Sequence, residues 1–393
     1  MNRAIEAAKK FAGWHNVINI EEHPGGNVND TFVVSTKDKG RFILQRLNTK
    51  VFKNPKLVIA NMCSIADHTQ RVLEKTPLPQ SRRWVVPSVL YTQPTDSSDP
   101  NAFWIDEDLG FWRAITYVEN ATAHQKIKNP LHGFEVGFGL GLFQSLISNL
   151  KPTELHDTLP GFHITPKYLQ KFQDAALNRS SPTTTLDENY CFKFIDQRAS
   201  WCSVLEDAAA KKTLKVRPIH GDPKTANIML DNDTAQAVAL IDLDTVKPGL
   251  VQYDIGDCLR SSCNTAGEEC TDLSSIDFDV TMSKQILKGY LSIASSFFTE
   301  EDYEYLYDSA RLISFELGMR FFTDYLENNT YFKVKHINHN LERAIIQFKL
   351  TEAIETRESE IRKVILAANK EANDSSLFDE LKNQLHLSEP VAL

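Results

Sequence analysis

His220-Gly221-Asp222-Pro223-Lys224-Thr225-Ala226-Asn227, followed by a short hairpin pattern and then by Ile241-Asp242-Leu243-Asp244, is the stretch from which the rest of the chain is read. It offers a carboxylate at Asp222, a cation two residues on at Lys224, an amide oxygen at Asn227, and an acidic pair twenty residues after Asp222. Ile228-Met229-Leu230 and Ala237 to Ile241 read as strands flanking Asp231-Asn232-Asp233, a hairpin-turn composition. Transfer of a phosphoryl group to a hydroxyl needs these parts: a carboxylate to orient and deprotonate the acceptor, a cation for developing charge, and oxygen ligands for magnesium. One Asp or Asn alone would serve a turn or a cap. Together they make Asp222 and Lys224 catalytic candidates and Asn227 and Asp242 candidate Mg2+ ligands, with the role of Asp244 open.

Upstream, residues 1–14 carry apolar residues at helical spacing. Val17 to Glu22, Thr31 to Ser35 and Arg41 to Arg46 read as strands of an antiparallel meander, the first two separated by the glycine turn Pro24-Gly25-Gly26-Asn27. A helical pattern over 56–75 follows, then strand patterns at Trp84 to Leu90, Phe103 to Asp106 and Trp112 to Val118. Residues 1–118 thus predict a small lobe of strands with helix. Residues 119–393 predict a larger, mainly helical lobe, with helices over 131–150, 165–178, 189–211, 282–297, 301–327 and 338–370, and a loosely attached tail after Asn373. The fold class is α+β and bilobal.

The composition excludes several functions. Across 393 residues, 43 Lys and Arg stand against 52 Asp and Glu, a net charge of -9 that offers nucleic acid or an anionic membrane no general attraction. The six cysteines form no CxxC pair and read as reduced thiols. No stretch is apolar enough to span a bilayer and the N-terminus lacks an export pattern, so a cytoplasmic protein is expected. Gly137-x-Gly139-x-Gly141 imitates a phosphate loop but lacks a following Gly-Lys-Ser/Thr, and close helix packing explains it better. His336 and His339 lack a third ligand at metal spacing.

The D-x-K-x-x-N spacing matches the protein-kinase catalytic loop, with Asp242 where that fold places its magnesium-binding Asp. The arrangement resembles the aminoglycoside phosphotransferase and choline kinase family, whose loop usually reads H-G-D-x-x-x-x-N. That resemblance implies a protein-kinase-like fold using ATP and Mg2+ on a small-molecule acceptor. Gly25, Gly26 and Asn27 would then cover the ATP phosphates, and Tyr117, Val118 and Glu119 would meet the adenine. Phe42-Ile43-Leu44-Gln45-Arg46 occupies the place of the phosphate-lysine strand without a lysine; Arg46 is taken as the cation and Gln45 as the alternative, since alternation lets only one face the site. Asp67 is the acid nominated on the following helix to partner that cation. Phe42 to Asn48, Ile241 to Gly249, Gly318 to Glu327, Tyr331-Phe332 and His339-Asn340-Leu341 are similar to the N-acetylhexosamine 1-kinase branch, over about residues 10 to 365. In that branch the residues matching Arg320 and Tyr331 help hold the sugar, so the expected acceptor is the anomeric hydroxyl of an N-acetylhexosamine beside Asp222. Gly221-Asp222-Pro223 departs from the neighbours usual in that branch.

Overall fold

The computed structural model describes residues 1–13, 16–23, 28–37, 40–79, 81–94, 99–179 and 183–374. Gly25, Gly26 and Asn27 and the tail beyond residue 374 lie outside the described residues.

The chain opens with α1 (Asn2–Ala12), whose Ala4, Ala7, Ala8 and Phe11 lie at helical spacing and are buried. Strands β1 (Val17–Glu22), β2 (Asp30–Thr36) and β3 (Gly40–Leu47) form the expected meander. They are followed by α2 (Pro55–Lys75), which starts on a proline, the residue whose missing N–H costs least at a helix start. Then come β4 (Val89–Leu90), β5 (Trp104–Ile105) and β6 (Phe111–Thr116). The antiparallel sheet runs β1-β2-β3-β6-β4, with β5 also paired to β6. Only the last two residues of the strand pattern at 84–90 enter it.

Register decides which side chains meet the rest of the molecule. Gln45 lies opposite Arg113, and Arg46 opposite Trp112. Phe42, Leu44, Trp112 and Ala114 pack with α1 on one face. Leu47, Phe111 and Ile115 pack on the other with Val58, Ile59 and Met62 of α2. Period-two alternation therefore puts Arg46 on the α1 face and Gln45 and Arg113 on the inner one.

After residue 116 the chain forms β7 (Ala121–Ala123), in a segment whose polar composition reads as irregular, and then α3 (Pro130–Ile147) and α4 (Thr165–Leu177). Instead of one helix over 189–211 there are two, α5 (Leu186–Arg198) and α6 (Val204–Ala210). The earlier start of α5 is fixed by a capping box: the Glu188 N–H donates to Thr185 Oγ1 and the Thr185 N–H donates to the Glu188 carboxylate. Next are β8 (Arg217–Ile219), β9 (Ile228–Asp231), β10 (Ala237–Leu240) and β11 (Lys247–Gly249), with β9 between β10 and β7 and β11 beside β8. The remaining helices are α7 (Val251–Ser262), α8 (Val280–Ala294), α9 (Glu300–Glu304), α10 (Leu306–Leu326), α11 (His339–Thr356) and α12 (Glu358–Asp374).

The glycines of α3 do what close packing demands. A Cβ on Gly137 would lie 1.9 Å from the Ile286 carbonyl oxygen, and one on Gly141 would lie 2.7 Å from that of Tyr290, both on α8. Gly289 of α8 returns the fit against the Phe134 carbonyl. One core joins Met62 of α2, Phe111 of β6, Phe143 of α3 and Leu287 of α8, so the sheet and the helical part share buried surface. Burial of this kind stabilises by roughly 25 cal/mol per Å² of apolar area.

Candidate active site

The segment between β8 and β9 is held by its own backbone and by a buried acid, Asp254. The Asp254 carboxylate, on the first turn of α7, accepts from the N–H groups of His220 (2.8 Å) and Gly221 (2.7 Å) and from Gln144 Nε2 (2.9 Å). Tyr290 donates to the far end of Gln144 at 2.6 Å. His220 is fully buried, with Nε2 bonded to the Ile241 carbonyl and Nδ1 accepting from the Asp222 N–H. Those partners fix the neutral Nε2–H tautomer, in keeping with the downward shift that burial imposes on this imidazole. Gly221 has φ 90°, and a Cβ there would meet the Thr245 carbonyl oxygen at 2.8 Å, so glycine is required on both counts.

Asp222 Oδ2 accepts from Lys224 Nζ at 3.1 Å and more distantly from Asn227 Nδ2 at 3.3 Å. Among the described residues no donor reaches Oδ1. Burial works to raise this carboxyl, but the Lys224 charge and hydrogen bond outweigh it and hold it below the usual carboxylate range. Lys224 is correspondingly raised, first by Asp222. Asp222 is thus an ionised acceptor with one oxygen free.

Asn227 also donates to the Asp222 carbonyl (2.7 Å), and its own carbonyl accepts the Ile241 N–H at 2.8 Å, which sets Asp242 beside it. Asp242 has left-handed geometry, φ 64° and ψ 59°, a conformation that Asp tolerates better than most residues. Enclosure by the cleft walls, then the carboxylates of Asp244 and Asp222, push its carboxyl up to about 7. The side chain is nonetheless open to the cleft. An amide oxygen and a carboxylate crowded by two further acids are hard donors short of positive charge, and they fit Mg2+.

Asp244 has a different position. It is buried and ion-paired to Arg113 of β6, while its Oδ2 accepts from Asn29 at 2.7 Å. Arg113 also donates through Nε and Nη2 to Gln45 Oε1 at 2.9 and 2.7 Å. The cation that the sheet presents to the acidic residues is therefore Arg113, and Arg46 is corrected: its guanidinium stands 6.0 Å over the Trp112 ring on the α1 face, near Asp106. Asp67 is likewise corrected, because it is exposed on α2 while Met62 of that helix meets Arg113.

A cavity of about 190 Å³ opens beside Asp222 and Lys224 and is also lined by His163, Glu316, Arg320 and Tyr331. The structure thus brings the catalytic-loop carboxylate and both candidate acceptor residues to one space. The Arg320 guanidinium lies 5.0 Å from the Phe162 and Tyr168 rings and 5.6 Å from that of Phe332. Among the described residues nothing accepts a hydrogen bond from it. Tyr117, Val118 and Glu119 connect β6 to β7: Arg41 pairs with Glu119 and lies 4.1 Å over Tyr117, while Val118 packs on Val238 and Ala239.

Sequence reasoning missed Arg113, Asn29, Asp254, His163 and Glu316. Arg113 carried a signal, since alternation with Phe111 and Ile115 sets it on the buried face of a strand. His163 and Glu316 carried none, being brought together from a loop and α10.

The family described as APH, phosphotransferase enzyme family, matches residues 19–274. Among solved structures, the chain is similar to a microcompartment-associated aminopropanol kinase, with TM-score 0.57 and 14% identity over 92% of this chain and 99% of that one. It is also similar to a choline kinase from Cryptosporidium parvum Iowa II, with TM-score 0.55 and 13% identity over 93% and 97%. Identities this low speak for the fold, a mixed α+β kinase-like architecture.

Proposed function

Because the chain belongs to the phosphotransferase enzyme family, whose members transfer phosphoryl groups to small-molecule hydroxyls, we propose that it moves the γ-phosphoryl of ATP to the anomeric hydroxyl of an N-acetylhexosamine, giving the sugar 1-phosphate and ADP. The observation that carries this reading is the shared cavity of Asp222, Arg320 and Tyr331. A guanidinium without a hydrogen-bond acceptor among the described residues and a phenol offer donors to hydroxyl and acetamido oxygens, and aromatic faces suit a pyranose ring. A cationic acceptor such as choline would face Arg320 with like charge.

In this mechanism the free Oδ1 of Asp222 orients the acceptor hydroxyl and takes its proton. The acceptor oxygen bonds the γ-phosphorus as the bond to the β–γ bridging oxygen breaks, and Lys224 faces the charge on the transferring group. Mg2+, held by the Asn227 amide oxygen and Asp242, would neutralise the phosphates. Residues 117–119 receive the adenine, Arg113 with Gln45 stands where a lysine serves in protein kinases, and the phosphate-covering role remains assigned by sequence to Gly25, Gly26 and Asn27, which lie outside the described residues. We place the lobe boundary between residues 118 and 119 and the protein in the cytoplasm, where its six free thiols would persist. Among the described residues no helix is long and apolar enough to cross a membrane.

Incubation with MgATP and a panel of N-acetylhexosamines, choline, ethanolamine and aminoglycosides, read by phosphorus NMR, tests the proposal. A 1-phosphate doublet on a hexosamine supports it. Transfer only to an amino alcohol would retain the kinase and overturn the sugar.

A further inference from the structure

His163 touches neither the acidic cluster nor, by hydrogen bond, Asp222, yet it is buried in the wall of the acceptor cavity. Its backbone is left-handed, with φ 64°, a region uncommon outside glycine in which histidine is one of the residues found more often. The ring lies against Phe162, centroids 3.9 Å apart, and faces Tyr253 at 5.5 Å. Nε2 is 2.6 Å from the Gly221 carbonyl oxygen, and Nδ1 is 3.1 Å from Glu316 Oε1. Both partners are acceptors, a carbonyl and a carboxylate whose other oxygen already accepts from Thr165 at 2.7 Å. Each ring nitrogen must therefore donate, and the ring carries a proton on both.

The Gly221 peptide is gripped on both sides. Asp254 accepts from its N–H at 2.7 Å, His163 donates to its C=O at 2.6 Å, and the next residue is Asp222. Resting on the phosphotransferase reading above, we propose that His163, anchored by Glu316, is a positioning residue that holds the Gly221 carbonyl and thereby sets the direction of the Asp222 carboxylate. Glu316 lies one helical turn from Arg320 on α10, and both line the cavity, so the anchor of His163 and the acceptor-facing guanidinium are carried by one helix. A hydroxyl held by Arg320 and a base held through His163 are then fixed relative to each other, which is how a site converts binding into orientation. Of the charged groups nearby, Asp257 of α7 also faces the ring, while Arg320, Lys247 and Glu206 face Glu316. The net effect of Glu316 and Asp257 is to raise the imidazole against the cost of burial.

The full-length protein labelled with ¹⁵N-histidine tests this at pH 8, well above the ~6.5 of a free imidazole. One histidine should show both ring nitrogens protonated, and that signal should vanish in His163→Gln and revert to an ordinary titration in Glu316→Gln. Kinetically, His163→Ala should lower kcat on the order of 10²-fold with KM for MgATP unchanged, and His163→Gln, which keeps an N–H donor, should recover part of the loss. A His163 ring that titrates near ~6.5 in the wild type would overturn the proposal, as would folded His163 variants with wild-type kcat. The NMR arm needs no acceptor. An enzyme that transfers to none of the acceptors would sink the functional reading while the ring still decides on His163; an active enzyme, dead as Asp222→Asn but indifferent to His163, would sink this inference alone.

Discussion

Arg113 of β6 and Asp244, two residues beyond the candidate metal ligand Asp242, form an ion pair in which both side chains are almost wholly buried, at 1% and 3% exposure. The pair ties the inner face of the sheet to the turn that carries Asp242, and Asn29, immediately before β2, joins it through the other Asp244 oxygen. Removing one partner leaves an uncompensated buried charge. Arg113→Ala should therefore cost about 3–5 kcal/mol, read as a lowered urea midpoint. Arg113→Met with Asp244→Leu should cost less than either single change, because no orphaned charge remains. A single variant with unaltered stability would show that the pair is not what joins these segments.

The pH dependence of stability has a named source in Glu206 of α6. Its Oε1 accepts from Tyr253 at 2.5 Å and its Oε2 is buried without a partner among the described residues. Burial pushes the carboxyl up from 4.5 to about 7. Between those values the folded protein keeps a proton that the unfolded chain releases, so stability falls as pH rises through the window and levels off above it. Glu206→Gln should remove that slope. Denaturation midpoints at several pH values would check it, and an identical slope in the variant would rule Glu206 out.

Arg320→Ala and Tyr331→Phe should raise KM for the sugar far more than KM for ATP, since neither residue touches the catalytic loop or the acidic cluster. A buried sugar oxygen left without its donor costs ~1–3 kcal/mol, or roughly a five- to 150-fold acceptor defect. Steady-state kinetics with each substrate varied in turn, on variants with native melting, separate the two. A defect confined to ATP would contradict the assignment.

Much of this site was legible because its signals are local. Asp222, Lys224, Asn227 and Asp242 lie on one strand-turn-strand segment, where spacing in sequence is nearly spacing in space. Arg46 was read onto the wrong face because Arg46 and Gln45 are adjacent, and a one-residue choice of face sends the side chain to α1 or to the cleft. Only the register with β6, which sets Gln45 against Arg113, settles that choice. The strand β7 escaped notice because its identity comes from pairing with β9, not from its own composition. The support of His163 by Glu316 spans 153 residues and leaves no pattern in the chain.

The central claim is that Asp222 acts on the acceptor and not on the nucleotide, and the turnover of Asp222→Asn measured beside its MgATP affinity tests it most directly. A general base contributes ~10²–10⁴-fold, so kcat should fall by that range while calorimetry finds MgATP binding nearly unchanged. A kcat within about tenfold of wild type, below that range, or a loss of MgATP affinity that accounts for the lost rate, would contradict it.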